Sequence, residues 1–143
     1  MLLSIENLLR ESAQKLIKIS STPRLDADIL LLHLIDKPRS WLFAHGDESL
    51  DKDLVSQYEK LINRRLTGEP VAYILNKKEF WGLEFFVSRD VLIPRPETEL
   101  LVDFVIKNLK DNQGEQIKIL DLGTGSGCIS VACLLYTSDA ADE

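Results

Sequence analysis

Seven residues, Asp121-Leu122-Gly123-Thr124-Gly125-Ser126-Gly127, carry the sharpest chemical pattern in this chain. Glycines at alternate positions let the backbone come close to a nucleotide-sized ligand, and a helix beginning just after them would present free N–H groups at its positive end. The dinucleotide fingerprint G-x-G-x-x-G requires glycine at position 128, which is Cys128, so the spacing here speaks against NAD. An acidic residue two positions before the first glycine suits a cofactor whose amino-acid end bears an ammonium group, since a carboxylate meets that charge directly or through water. S-adenosyl-L-methionine has such an end. The same residues also suit a tight strand-to-helix turn that binds nothing.

Upstream, Val91-Leu92-Ile93-Pro94-Arg95-Pro96-Glu97-Thr98-Glu99 sets two prolines around an arginine, just before a helix that Thr98 suits as N-cap. Either Arg95 and Thr98 are held there for a ligand, or they are polar residues at a stiffened hairpin exit. Phe80, Trp81, Phe85 and Phe86 read as core or hairpin packing. His33 reads as a packed, hydrogen-bonded side chain and His45 as a loop residue; neither has a metal-like partner arrangement, so no metal is expected. Arg64, Arg65 and Lys77-Lys78 read as solvated surface. Cys128 and Cys133 are too few for a disulfide framework or an all-cysteine zinc site and read as reduced thiols.

The elements that must position the loop change character along the chain. Ile5, Leu8, Leu9, Ala13, Leu16 and Ile17 share one stripe of a helix that Ser4 suits as cap. A second helix, with Thr22 as N-cap and Pro23 in its first turn, is apolar nearly all round and ends near Pro38. A short segment around Trp41, Leu42 and Phe43 precedes a longer amphipathic helix running from Leu50 to Leu66, with Gly68 where a C-terminal cap belongs. After Pro70 the chain turns aromatic and β-branched, and EFWGLEFFVSRDVLIPR predicts a β-hairpin with turns at Gly82 and at Ser88 to Asp90. PETELLVDFVIKNLK restores helical spacing, Asp111 to Gly114 reads as a turn, and the apolar run IKIL predicts a strand leading into the glycine loop. The expected fold is an N-terminal all-α bundle (residues 1–75). A β-hairpin and the first strand-loop-helix of an incomplete Rossmann-like α/β domain follow (residues 76–132).

Composition bounds the function. With 45% hydrophobic and 28% charged residues in 143, disorder is not indicated, and the net charge of −6 gives no nucleic-acid footprint. MLLSIENLLR carries Glu6 and Arg10 inside its apolar pattern and does not read as a signal peptide, and no later run reads as a bilayer span. A cytoplasmic monomer that takes a protein or small-molecule substrate, and neither membrane nor nucleic acid, is expected.

Four stretches, GEPVAYIL (Gly68 to Leu75), EFWGLEFFV (Glu79 to Val87), VLIPRPETELLVD (Val91 to Asp103) and ILDLGTGSGCISVA (Ile119 to Ala132), resemble the peptide chain release factor glutamine methyltransferases in order and spacing. The resemblance covers Met1 to about Ala132. It implies a helical bundle that helps recognise the release factor, joined by a hairpin to a methyltransferase domain. It also implies S-adenosyl-L-methionine contacts at Asp121, Leu122, Gly123, Thr124 and Gly125, with Thr98 as a neighbour, and methylation of the glutamine side chain in the Gly-Gly-Gln motif of the factor. The family's catalytic Asn-Pro-Pro-Tyr, which lies beyond the glycine loop, does not occur here. The chain is therefore expected to be C-terminally truncated and inactive by itself, with no catalytic residue of its own. The alternatives are a methyltransferase for a ribosomal-protein glutamine or a nucleic-acid amino group, and a non-catalytic fragment that binds release factors.

From Cys133 onward, CLLYTSDAADE reads as a break in the expected apolar helix and resembles an in-frame translation of a transposon-end sequencing adapter. Residues 133–143 are thus expected to be foreign. Without their Asp139, Asp142 and Glu143 the net charge of −6 becomes −3, and the charge argument weakens.

Overall fold

A computed structural model describes residues 3–110 and 118–138. The chain forms two compact units, Met1–Leu75 and Asn76–Glu143.

The first unit is helical because its apolar residues repeat at helical spacing and polar side chains define the helix ends. Helix α1 (Ile5–Leu16) starts where the Ser4 hydroxyl accepts from the Asn7 N–H at 3.4 Å. Its stripe buries Ile5, Leu8, Leu9 and Leu16, while Ile17, expected on the same stripe, lies past the helix end and is 63% exposed. Helix α2 (Pro23–Ile35) has Thr22 at its N-cap position, but that hydroxyl bonds Asp26 Oδ1 at 3.4 Å and caps no backbone N–H. The helix ends at Asp36, left-handed at φ 50°, short of Pro38. Leu30 and Leu31 are fully buried, yet α2 also buries Asp26 and Asp28, so it is less uniformly apolar than expected. Helix α3 (Arg39–His45) holds Trp41, Leu42 and Phe43. Asp51 opens α4 (Lys52–Leu66) by accepting from the Leu54 N–H at 2.8 Å, and Gly68 follows at φ 90°. A short helix, α5 (Val71–Leu75), closes the unit at the expected end of the helical bundle.

Tyr58 and Ile62 of α4 meet Leu9, Leu30 and Leu31 in one core, joined by Leu16, Ala27 and Ile74. Each large apolar side chain buried there contributes about 1.5–3 kcal/mol before entropic losses.

Three polar expectations are overturned in this unit. Arg65, read as solvated surface, is half-buried with its Nε on Asp26 Oδ2 at 2.8 Å, whereas Arg64 is exposed as expected and grips buried Glu69 through Nε and Nη2, both at 2.8 Å. The two carboxylates sit in the helical core's margin and need a charged partner there. His33 is exposed on α2 and not packed. His45 belongs to α3, where its ring stacks on Trp41 at 4.2 Å and Nδ1 lies 2.9 Å from the Trp41 carbonyl.

The second unit begins with the expected hairpin. Strands β1 (Lys77–Phe80) and β2 (Leu83–Phe86) pair antiparallel with Lys77 opposite Phe86 and Phe80 opposite Leu83. Trp81 and Gly82 form the turn, both at positive φ, as a two-residue hairpin connection requires. Phe80 and Phe85 pack edge to face at 6.2 Å, while Phe86 is 73% exposed on the other side of the pair. A 3₁₀ turn (Pro96–Thr98) leads into α6 (Glu99–Lys110), and α7 (Cys128–Ser138) follows the glycine loop. Val102 and Ile106 of α6 pack with Phe80, Phe85 and with Cys128, Ala132 and Cys133 of α7.

Two further expectations fail. Lys118, Ile119 and Leu120 are not a strand, since a strand exists only through hydrogen bonds to a neighbour and the two-stranded hairpin is the only sheet among the described residues. And Cys133 does not break the helix: α7 runs through it to Ser138, because Leu134, Leu135 and Tyr136 are all compatible with helical backbone. The expected turn at Asp111 to Gly114, Ile117 of the IKIL run and the tail residues 139–143 lie outside the described residues.

Candidate functional site

The glycine loop connects the apolar run at 118–120 to α7, and its backbone is set by positive φ at Gly123 (72°) and Gly125 (57°). A Cβ added at Gly123 would meet nothing within 4 Å. The loop therefore needs glycine for its dihedral angle, and the space beside it is open. Gly127 accepts from the Val131 N–H at 2.9 Å and donates to the Thr124 carbonyl at 2.9 Å, so the loop is stitched directly to the first turn of α7.

Asp121 is half-buried, and its Oδ2 accepts from the Ser130 hydroxyl at 2.7 Å. That bond ties the carboxylate at the head of the loop to the first turn of α7. Burial pushes the Cys133 thiol up from its ordinary value, and the negative charge of Asp121 adds to the effect. The Ser126 hydroxyl is buried with no hydrogen-bond partner. Leu122, Gly123, Thr124 and Gly125 are exposed. A fixed carboxylate beside open backbone of this kind can pair with an ammonium group and approach a ligand closely.

Thr98 is half-buried at the end of the 3₁₀ turn, its N–H donating to the Arg95 carbonyl at 3.0 Å. The five loop residues named from the sequence are contiguous by construction; Thr98 is positioned by its own turn. Sequence reasoning missed Ser130, whose role shows only once α7 brings it back over Asp121. It also missed Glu99, whose Oε1 accepts from the Trp81 N–H at 3.1 Å and ties the hairpin turn to the start of α6. Among the described residues no three histidine, cysteine or carboxylate side chains cluster as metal ligands.

The first unit has a concavity of its own, ≈ 290 Å³ in volume, lined by Glu6, Arg24, Asp28, Arg39 and Phe43 among others. Arg24 organises it, donating from Nη1 and Nη2 to Glu6 at 2.8 and 2.6 Å and from Nε to Asp28 at 2.7 Å. Those hydrogen bonds hold the Glu6 carboxyl below its usual range. Phe43 stands at the rim, 86% exposed. No helix among the described residues is long and apolar enough to cross a membrane.

Residues 7–75 match the family model described as the PrmC N-terminal domain. The release factor glutamine methyltransferase of Coxiella burnetii is 45% identical over 146 residues, covering 99% of this chain and 52% of the relative. The protein of the same name from Escherichia coli is 41% identical over 89% of this chain and 44% of its own length. A protein named bifunctional methyltransferase from Rickettsia conorii is 40% identical over 96% of this chain and 30% of its own. The chain spans about half the length of the release factor methyltransferases it matches. A domain match over the bundle, together with relatives aligned through hairpin and glycine loop alike, places the chain in the release factor glutamine methyltransferase family.

Proposed function

We propose that this chain supplies the docking bundle and the cofactor loop of an S-adenosyl-L-methionine-dependent enzyme that methylates a glutamine side-chain amide of peptide chain release factors. The observation that carries the reading is the open glycine loop headed by a fixed carboxylate. Asp121 pairs with the ammonium of the cofactor, and Gly123 to Gly125 offer backbone where a side chain would otherwise stand. The residues fit that group: a Cβ at Gly123 would enter empty space, and the buried Ser126 hydroxyl is without a partner in the structure. Leu122 and Thr124 complete the contact, with Thr98 as a neighbour. When bound, S-adenosyl-L-methionine supplies a methyl group activated by its sulfonium.

An amide nitrogen is a poor nucleophile, so transfer depends on groups that orient the glutamine and stabilise developing charge. The family's Asn-Pro-Pro-Tyr has that role and is absent from this sequence. Residues 1–75 take the release factor at the groove beside Phe43, residues 76–132 carry hairpin and loop, and residues 133–143 have no part in the activity. The enzyme works in the cytoplasm as a monomer.

Equilibrium dialysis with labelled S-adenosyl-L-methionine tests the loop, and co-sedimentation with purified release factor tests the bundle. Cofactor retention that weakens at least tenfold in Asp121→Asn supports the assignment. Equal retention by both proteins removes Asp121 from the site, and release-factor binding with no cofactor uptake leaves a docking module only.

A further inference from the structure

The concavity of the first unit holds an alternating chain of charges that ends open. Arg24 donates from Nη1 and Nη2 to Glu6 and from Nε to Asp28, so all three of its nitrogens are engaged. Asp28 Oδ2 then lies 3.5 Å from Arg39 Nη2, beyond the ordinary range of N–H···O hydrogen bonds. Acid, base, acid and base stand in sequence, and the last base has most of its donors unused. This is the one ionic contact of the Arg39 guanidinium among the described residues, and its side chain is 60% exposed. Asp47, exposed on the same lining, forms no ion pair among the described residues. Phe43 follows Arg39 by four residues, so the two side chains rise from the same side of α3. Both line the concavity, and Phe43 is the barest large apolar side chain among the described residues.

Two independent deficits meet on this helix face: a guanidinium fork short of an acceptor and an aromatic ring short of a cover. A free anion satisfies the first and leaves the second. A polypeptide that carries a carboxylate beside an apolar side chain meets both, because the planar fork takes a carboxylate through two parallel hydrogen bonds and arginine and aromatic residues dominate protein–protein contacts. Two acids and two bases cancel within the chain of charges, so the attraction is a short-range one. We propose that Arg39 and Phe43 are the pair by which the first unit selects its protein partner, and that the partner presents an acidic side chain to Arg39 and an apolar one to Phe43. The inference rests on the docking of release factors proposed above and names the groups on each side that do the selecting.

Titration of the full chain against purified, fluorescently labelled release factor, followed by anisotropy, tests the pair. Arg39→Glu and Phe43→Ser are each expected to weaken binding by about tenfold or more. Ile17→Ser, at another exposed apolar position of the same unit outside the concavity, is expected to bind like the unaltered chain. Urea denaturation followed at 222 nm checks that each variant is folded, and where one is not, Arg39→Gln or Phe43→Ala takes its place. Among release-factor variants with one surface aspartate or glutamate changed to lysine, one is expected to restore binding to the Arg39→Glu chain. Binding that ignores either substitution, an equal loss in Ile17→Ser, or failure of every lysine-bearing factor to restore binding overturns the proposal and leaves docking itself in place. No binding by the unaltered chain removes the docking reading and this inference together.

Discussion

Removing Asp26 is expected to cost far more than the loss of a charge from an exposed helix surface. Its carboxylate meets Arg65 at 2.8 Å, and the two side chains are only 11% and 14% exposed. Truncating one member of a buried pair leaves the other charge uncompensated, a loss of about 3–5 kcal/mol. Asp26→Ala leaves the Arg65 guanidinium with the Glu69 and Ile19 carbonyls at 3.3 and 3.4 Å, which moderates the loss toward about 3 kcal/mol. Arg65→Met strands the Asp26 carboxylate with little beyond the Thr22 hydroxyl, and a similar cost of about 3 kcal/mol follows. The double variant Asp26→Leu/Arg65→Met buries two apolar groups where two charges stood and should be more stable than either single variant. For a unit of this size each kcal/mol moves the melting temperature by about 4–8 °C, so single variants should melt more than about 10 °C lower. Urea denaturation followed at 222 nm measures all four proteins in one double-mutant cycle. Additive single costs below about 1 kcal/mol would refute the reasoning and return the pair to the class of solvated surface charges.

Burial pushes the Tyr58 phenol up to about 12, so the neutral form belongs to the folded state. Its contribution is complete below the ordinary tyrosine value of 10 and is lost as pH rises from there toward about 12; Tyr58→Phe should abolish that alkaline slope, as read by denaturation at stepped pH. Glu6 behaves oppositely: its depressed value means that its contribution is present above 4.5 and lost as pH falls below it. Glu6→Gln should flatten the acid limb only slightly in a pH-stability titration, because both partners are about half exposed and screened by solvent. Asp51→Ala removes the cap on the Leu54 N–H and should cost about 1 kcal/mol, read from thermal melting by circular dichroism.

What the sequence made legible was periodic or local. The stripe of Ile5, Leu8, Leu9 and Leu16 repeats within one helix, and the Trp81-Gly82 turn lies between two short aromatic strands, so both follow from neighbours in the chain. The Asp121 to Gly125 loop stood out for the same reason, since its spacing is its signal. The partner of Arg65 lies 39 residues away on another helix, and nothing in the local pattern distinguishes that arginine from a solvated one. Ser130 was silent because a hydroxyl in a helix's first turn gains a role only when the turn folds back over Asp121. Helix α5 is too short for periodicity to register over its five residues. The run before the loop reads as a strand by composition, but pairing is a property of two segments and composition speaks for one.

The open space at Gly123 bears on what this loop demands of its residues. Gly125 is little different, its added Cβ meeting only the Gly123 carbonyl at 3.9 Å. Bulk is therefore not what excludes a side chain from either position; the backbone there turns in the sense that L-amino acids disfavour by about 1–2 kcal/mol per residue. The requirement written into these positions is one of handedness, met by the only achiral residue. A D-alanine introduced by chemical synthesis would suit the dihedral angle that an L-alanine resists, and a loop that looks like a demand for smallness is, in its geometry, a demand for the mirror image.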